Sequence, residues 1–167
     1  MSDKIKNSPA LMTVLDKINS RLAEVNDRQA AKDFDTDTKL AWLGGRVGDV
    51  AHAMQRQNAV LNVAVLTVAW LEALHLGPTD IIAQIAEERS RQRQLFADRK
   101  HSFRVDSTLV GWPRKFRVLL EEVGEVAEAI DLLEASPRCK KFKRHFIDEL
   151  VQVAAVCCAW LESYEAH

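Results

Sequence analysis

Apolar residues recur at three- and four-residue intervals along most of the chain, the spacing of helices with one buried face, and no stretch alternates convincingly as a strand would. Ser8-Pro9 opens a first helix carrying Leu11, Leu15, Ile18 and Leu22, expected to run to about Lys32. Asp33 to Asp37 is a polar break with capping candidates, and Leu40 to about Arg56 reads as a second helix despite Gly44 and Gly45. A third runs from about Gln57 to Leu76, where Gly77-Pro78 stops it. Thr79 is the expected cap of a fourth, from Asp80 to about Arg99, and Lys100 to Gly111 reads as a loop. Trp112-Pro113 opens a fifth helix ending near Ala135, Arg138 to Arg144 reads as a basic connector, and a last helix spans about His145 to Tyr164. The expected fold is all-α, a helical bundle.

Two of these helices depart from the ordinary amphipathic pattern. In the fifth, Leu119, Leu120, Val123, Val126, Ala127 and Ile130 form the apolar face, while Glu121, Glu122, Glu125 and Glu128 crowd the other. Like charges one turn apart destabilise a helix by roughly 0.2–0.5 kcal/mol per pair. No Lys or Arg interrupts the run from Val118 to Glu134, so the acids lack a local counter-charge. The last helix is apolar nearly all round from Leu150 to Leu161, with Gln152 its one strongly polar side chain, which suits the centre of a bundle. Glu149 and Gln152 sit one turn apart where that helix enters the core. A buried carboxylate there needs a partner or a metal, although an Asp148/Glu149 pair at a helix start also fits compensation of the helix dipole.

The chain also matches itself. Val47-Gly48-Asp49-Val50-Ala51-His52-Ala53-Met54 parallels Val123-Gly124-Glu125-Val126-Ala127-Glu128-Ala129-Ile130, and Ala69-Trp70-Leu71-Glu72 recurs as Ala159-Trp160-Leu161-Glu162. The expectation is two duplicated helical hairpins packed as a pseudo-dimer, with a longer connector in the second. Residues 8–77 then form a degenerate, structural half and residues 78–167 the half bearing a site, both in one compact unit. Where the second copy has Glu121, Glu122, Glu125 and Glu149, the first has Gly45, Arg46, Asp49 and Ala59.

Composition narrows the function classes. With 23 basic and 24 acidic residues the net charge is −1, which gives no general reason to expect nucleic acid or an anionic membrane as partner. Cys139, Cys157 and Cys158 have neither an even count nor metal-type spacing, and the N-terminus lacks an apolar signal core. The expected location is the cytoplasm. Chemistry must come from local charge, and two antiparallel helices offering Glu122 and Glu125, and Glu149 and Gln152, bring oxygen ligands of the kind Mg2+ takes alongside substrate phosphates.

Glu121-Glu122-Val123-Gly124-Glu125, followed after a connector by Glu149-Leu150-Val151-Gln152, resembles the Glu-x-x-Glu plus Glu-x-x-Asp pattern of the MazG-like, all-α nucleoside triphosphate pyrophosphatases. Glu87-Glu88-Arg89-Ser90-Arg91-Gln92 extends the likeness, which covers about Ala83 to Glu162. The resemblance implies a nucleoside triphosphate substrate cleaved to monophosphate and pyrophosphate, often for nucleotide-pool cleansing, with Mg2+ or alternatively Mn2+ as cofactor. It makes Glu122, Glu125 and Glu149 metal ligands, puts Gln152 in the fourth ligand position, and gives Glu121 and Glu122 the catalytic roles. Gln152 departs from the family's Asp and brings no charge. For the base, the resemblance points to aromatic residues: Phe96, Phe103, Trp112 and Phe116 are candidates, with His101 a polar contact. Lys140, Lys141, Lys143 and Arg144 are candidates for phosphate contact or for a solvated basic loop. It also implies a homo-oligomer, here a dimer of pseudo-dimers.

Two other classes fit the same residues. One is a non-catalytic helical nucleotide-binding or scaffold protein of this fold, favoured by the eroded first copy and by Gln152. The other is a di-iron carboxylate bundle, suggested by Glu72-Ala73-Leu74-His75, although such bundles carry two Glu-x-x-His motifs and the corresponding place in the second copy reads Glu162-Ser163-Tyr164-Glu165.

Overall fold

A computed structural model of the chain describes residues 8–24, 32, 35–74, 76–98 and 103–165. Among these residues the elements are α1 (Pro9–Glu24), α2 (Thr36–His52), α3 (Arg56–Ala73), α4 (Pro78–Ala97), α5 (Trp112–Ala135) and α6 (Lys140–Glu165), and none is a strand. His101 and His75, and the predicted end of the first helix near Lys32, fall in or beside stretches outside the described residues.

Side-chain caps open the first two helices. Ser8 Oγ accepts the Leu11 amide at 3.1 Å, and Asp35 Oδ1 accepts the Thr38 amide at 2.7 Å, each satisfying a donor the helix leaves open. At α4 the expected Thr79 cap is replaced by Gly77, with Pro78 as first helical residue, whereas α3 stops at Ala73, with Leu74 as its cap, short of the Leu76 expected from the Gly-Pro pair. At α6 the correction is larger. Lys140, Lys141, Lys143 and Arg144 are helical from the outset rather than a connector, and Arg144 pairs with Asp148 at 2.8 Å, one turn on. Asp148 and Glu149 therefore lie in the third turn, beyond the reach of the helix dipole's end, and dipole compensation does not account for them.

The interior is built around α3 and α6, which pack on each other. From Phe146 to Ser163 only Asp148 and Gln152 of α6 are not buried, and α3 is buried continuously from Val63 to Leu71. Trp70 meets Phe146 edge-on, ring centroids 5.5 Å apart. The remaining helices surround this pair. α5 lies along α6, α2 lies along α3, α2 and α5 touch, and α1 and α4 each contact both α3 and α6. No described helix is long and apolar enough to cross a membrane.

Candidate metal centre and adjoining cavity

Helix α5 turns a narrow seam toward α6: Lys115, Leu119, Val126 and Ala129 are buried, and Glu122 occupies the intervening place at heptad-like spacing. Opposite it, α6 contributes Glu149, which is 6% exposed. Glu122, Glu125 and Glu149 each bring one carboxylate oxygen to a common point, all within 4.8 Å of one another. One of the Glu122 oxygens, Oε2, is buried without any hydrogen-bond partner.

Electrostatics register this crowding. Burial, followed by the carboxylates of Glu125, Glu149, Glu88 and Glu121, pushes Glu122 up to about 8. Glu149 rises to about 6, from burial and from Glu125, with His145 opposing. His145 Nδ1 stands 3.2 Å from Glu149 Oε1. An unpartnered carboxylate oxygen beside two more carboxylates is a donor set for a hard divalent cation.

Gln152 holds the inner edge of the cluster. Its Nε2 donates to Glu149 Oε2 at 2.6 Å, and its Oε1 accepts from Arg91 at 3.4 Å. Arg91 in turn grips Glu88 through two bonds of 2.6 and 2.7 Å. The Gln152 amide oxygen, the only atom by which this side chain can ligate a cation, thus faces Arg91.

A cavity of about 410 Å³ opens beside the acids between α4, residues 103–106, α5 and α6. Glu121, Glu122, Glu125 and Gln152 form one wall, and Arg91, Arg93, Arg104 and Phe103 stand across it. Behind that wall is a buried ion network: Arg89 Nε bonds Glu162 at 3.0 Å and its NH2 group bonds Asp106 at 3.0 Å. Arg93 meets Glu162 and Arg104 meets Asp106, so three guanidiniums face two carboxylates and the wall keeps a net positive charge.

The residues singled out from sequence divide accordingly. Glu121, Glu122, Glu125, Glu149 and Gln152 come together, and Phe103 joins the cavity. Trp112 and Phe116 do not line it: they lie 6.3 Å apart by ring centroid at the start of α5, where Arg56 stacks on Trp112 at 4.0 Å. Phe96 is exposed beside Arg104. Lys143 is exposed in the first turn of α6 and lines none of the cavity's walls. In the first half Asp49 is exposed and Arg46 sits over the Trp42 ring. Sequence reasoning passed over Arg104 and Asp106, and met Arg91 only inside the Glu87–Gln92 run, without a role for its side chain. Compared with protein-family models, curated proteins and solved structures, this chain matches none.

Proposed function

We propose that the chain is a magnesium-dependent nucleoside triphosphate pyrophosphohydrolase of MazG-like type, releasing monophosphate and pyrophosphate. The observation that carries this reading is the meeting of Glu122, Glu125 and Glu149 oxygens within 4.8 Å at the rim of a cavity whose far wall is cationic. A divalent cation held by these three residues supplies charge neutralisation of a polyphosphate and activation of water. Mg2+ and Mn2+ both suit the all-oxygen set.

The chain's own groups complete the reading. Arg91 and Arg104, with side chains 53% and 44% exposed, are accessible to phosphate oxygens, whereas Arg89 is committed to its buried carboxylates. Glu121 is exposed on the cavity wall and is assigned to accept a hydrogen bond from the attacking water. Phe103 offers a ring face for a base. The duplicated-hairpin reading, with 8–77 and 78–167 as halves, is supported by matched packing: α2–α3 mirrors α5–α6, and α1 and α4 each touch both central helices. We read the working form as a cytoplasmic dimer of such units.

The test is incubation of the pure protein with a panel of nucleoside triphosphates and Mg2+. Pyrophosphate and monophosphate as products support the reading, and orthophosphate release or an inert mixture rejects it. Turnover that survives Glu122→Gln or Glu125→Gln removes these residues from the site. The scaffold reading draws on one observation, the Gln152 oxygen turned toward Arg91, and nucleotide binding without turnover would favour it.

A further inference from the structure

Seven residues before Glu122 on the same buried seam of α5 lies a second charged group, Lys115, 3% exposed. Two helical turns separate them, so it belongs to a different part of the α5–α6 interface. Its Nζ donates to Ser163 Oγ at 2.6 Å, and Ser163 Oγ passes a hydrogen bond to the Trp160 carbonyl at 2.6 Å. An ammonium has three donors and Ser163 takes one. Among the described residues no carboxylate stands within ion-pair distance of Lys115, and Asp106, whose charge acts on it from farther off, is already bound by Arg89, Arg93 and Arg104.

A buried cation without an anion is costly, and here the surroundings add to the imbalance. The start of α5 has no acidic residue in its first turn and its cap, Gly111, contributes no side-chain bond, so the positive end of the helix is also unanswered. Arg56 stacks on Trp112 at 4.0 Å from the ring centroid, with its Nε buried and unpartnered. Burial pulls the Lys115 ammonium down to about 8, the direction expected of a cation lacking its counter-ion.

Lys115 lines a cavity of about 230 Å³ together with Thr108, Val110, Trp112, Trp160, Ser163 and Tyr164. None of the acidic triad borders it. The walls combine indole and phenol rings with hydroxyls, and the space is smaller than the roughly 300–1,000 Å³ of pockets for drug-sized ligands.

From this geometry we propose a second ligand site at the α5–α6 seam, in which Lys115 and the neighbouring hydroxyls hold the carboxylate of a small aromatic or apolar monoacid. A monoanion matches one ammonium, whereas a phosphate dianion would bring more charge into aromatic walls than Lys115 can balance. Ser163 and Thr108 offer hydroxyl donors to the carboxylate, and Trp112 and Tyr164 flank the apolar body.

Benzoate is the probe, and the tryptophans of the cavity are the reporter. Wild-type protein titrated with benzoate is expected to show a saturable change in tryptophan emission, with benzamide, its uncharged counterpart, at least about tenfold weaker. Lys115→Met is expected to weaken benzoate by about tenfold or more while keeping side-chain length. Should that variant fail to fold, a rise in the wild-type melting temperature with benzoate that benzamide does not reproduce supplies the same answer. No saturation, equal binding of benzamide, tighter binding of inorganic phosphate, or a wild-type melting temperature that benzoate leaves unchanged would each overturn the proposal. None of these measurements depends on turnover at the acidic triad, so this site and the proposed activity fail separately.

Discussion

Gln152 and Glu149, one turn apart on α6, are joined by a 2.6 Å hydrogen bond in which the amide is the donor. That bond fixes the glutamine's orientation, since a carboxylate cannot accept from the amide oxygen, and it engages Glu149 Oε2 while Oε1 stands 3.2 Å from His145. The amide therefore acts as a clamp on one carboxylate more than as a further oxygen donor.

Replacing Gln152 with Asp puts a fourth carboxylate on the cluster and deletes the clamp. Metal affinity is expected to rise by about tenfold, because ligand charge count tunes divalent-cation binding. With chelator present the same variant should be less stable than wild type, through the added repulsion and the lost bond, by about 1 kcal/mol. Calorimetric titration with Mn2+ and urea unfolding in chelator check the two halves.

The pH dependence follows from Glu122. Its value in the folded protein, about 8, lies above the ordinary 4.5, so the native state holds this proton more tightly than the unfolded chain does. The stabilising effect is complete below about 4.5 and is lost as pH climbs toward about 8, with Glu149 adding to the decline up to about 6. Thermal melts in chelator should fall across that window, and Mg2+ should restore more stability the higher the pH. Glu122→Gln should flatten the fall and abolish the Mg2+ response. It should also raise stability in chelator, by at least the roughly 0.2–0.5 kcal/mol of one like-charge helix pair. A Glu122→Gln protein that melts lower than wild type in chelator at neutral pH would contradict this.

Arg89 is the structural counterpart of these unpaired acids. Its side chain is 3% exposed between Glu162 and Asp106, both nearly as buried. Arg89→Met takes one guanidinium from each of two buried carboxylates, leaving Glu162 to Arg93 and Asp106 to Arg104 and Arg93, and is expected to cost about 3 kcal/mol. Arg89→Lys should recover only part of that, since one ammonium cannot reproduce the guanidinium's geometry. Denaturant midpoints for the two variants decide the point.

Glycines inside α2 offer the opposite result. Gly44, Gly45 and Gly48 are exposed, helical, and have nothing within 4 Å of where a Cβ would stand. Each is expected to gain about 0.5–1 kcal/mol on replacement by Ala, through reduced backbone freedom in the unfolded chain. Guanidinium unfolding of the single variants measures it. Gly124 in α5 is equally unobstructed, but it adjoins Glu125, so its Ala variant should be assayed for Mg2+ binding as well.

The helices were legible because their apolar spacing is regular, and α5 begins and ends where Trp112-Pro113 and Ala135 announce it. The convergence of Glu122, Glu125 and Glu149 was legible for a related reason: acids without local counter-charges need an external partner. The start of α6 was obscured because four cations in an opening turn oppose the helix dipole, and only the Arg144–Asp148 pair and the buried helix that follows override them. Trp112 misled because an aromatic residue near acidic sequence says nothing about which way its ring projects, and it pairs with Arg56 instead. The Arg91–Gln152 and Arg89–Asp106 contacts join residues distant in sequence, which periodicity does not encode.

Since Glu149 stems from the helix that fills the middle of the protein, whatever it grips is anchored to the frame itself. Glu88 and Arg91, by contrast, ride on α4 at the margin. The recess is thus walled by the central post on one side and by an outer leaf on the other, and the buried Arg89–Glu162 bond bolts the leaf to the post.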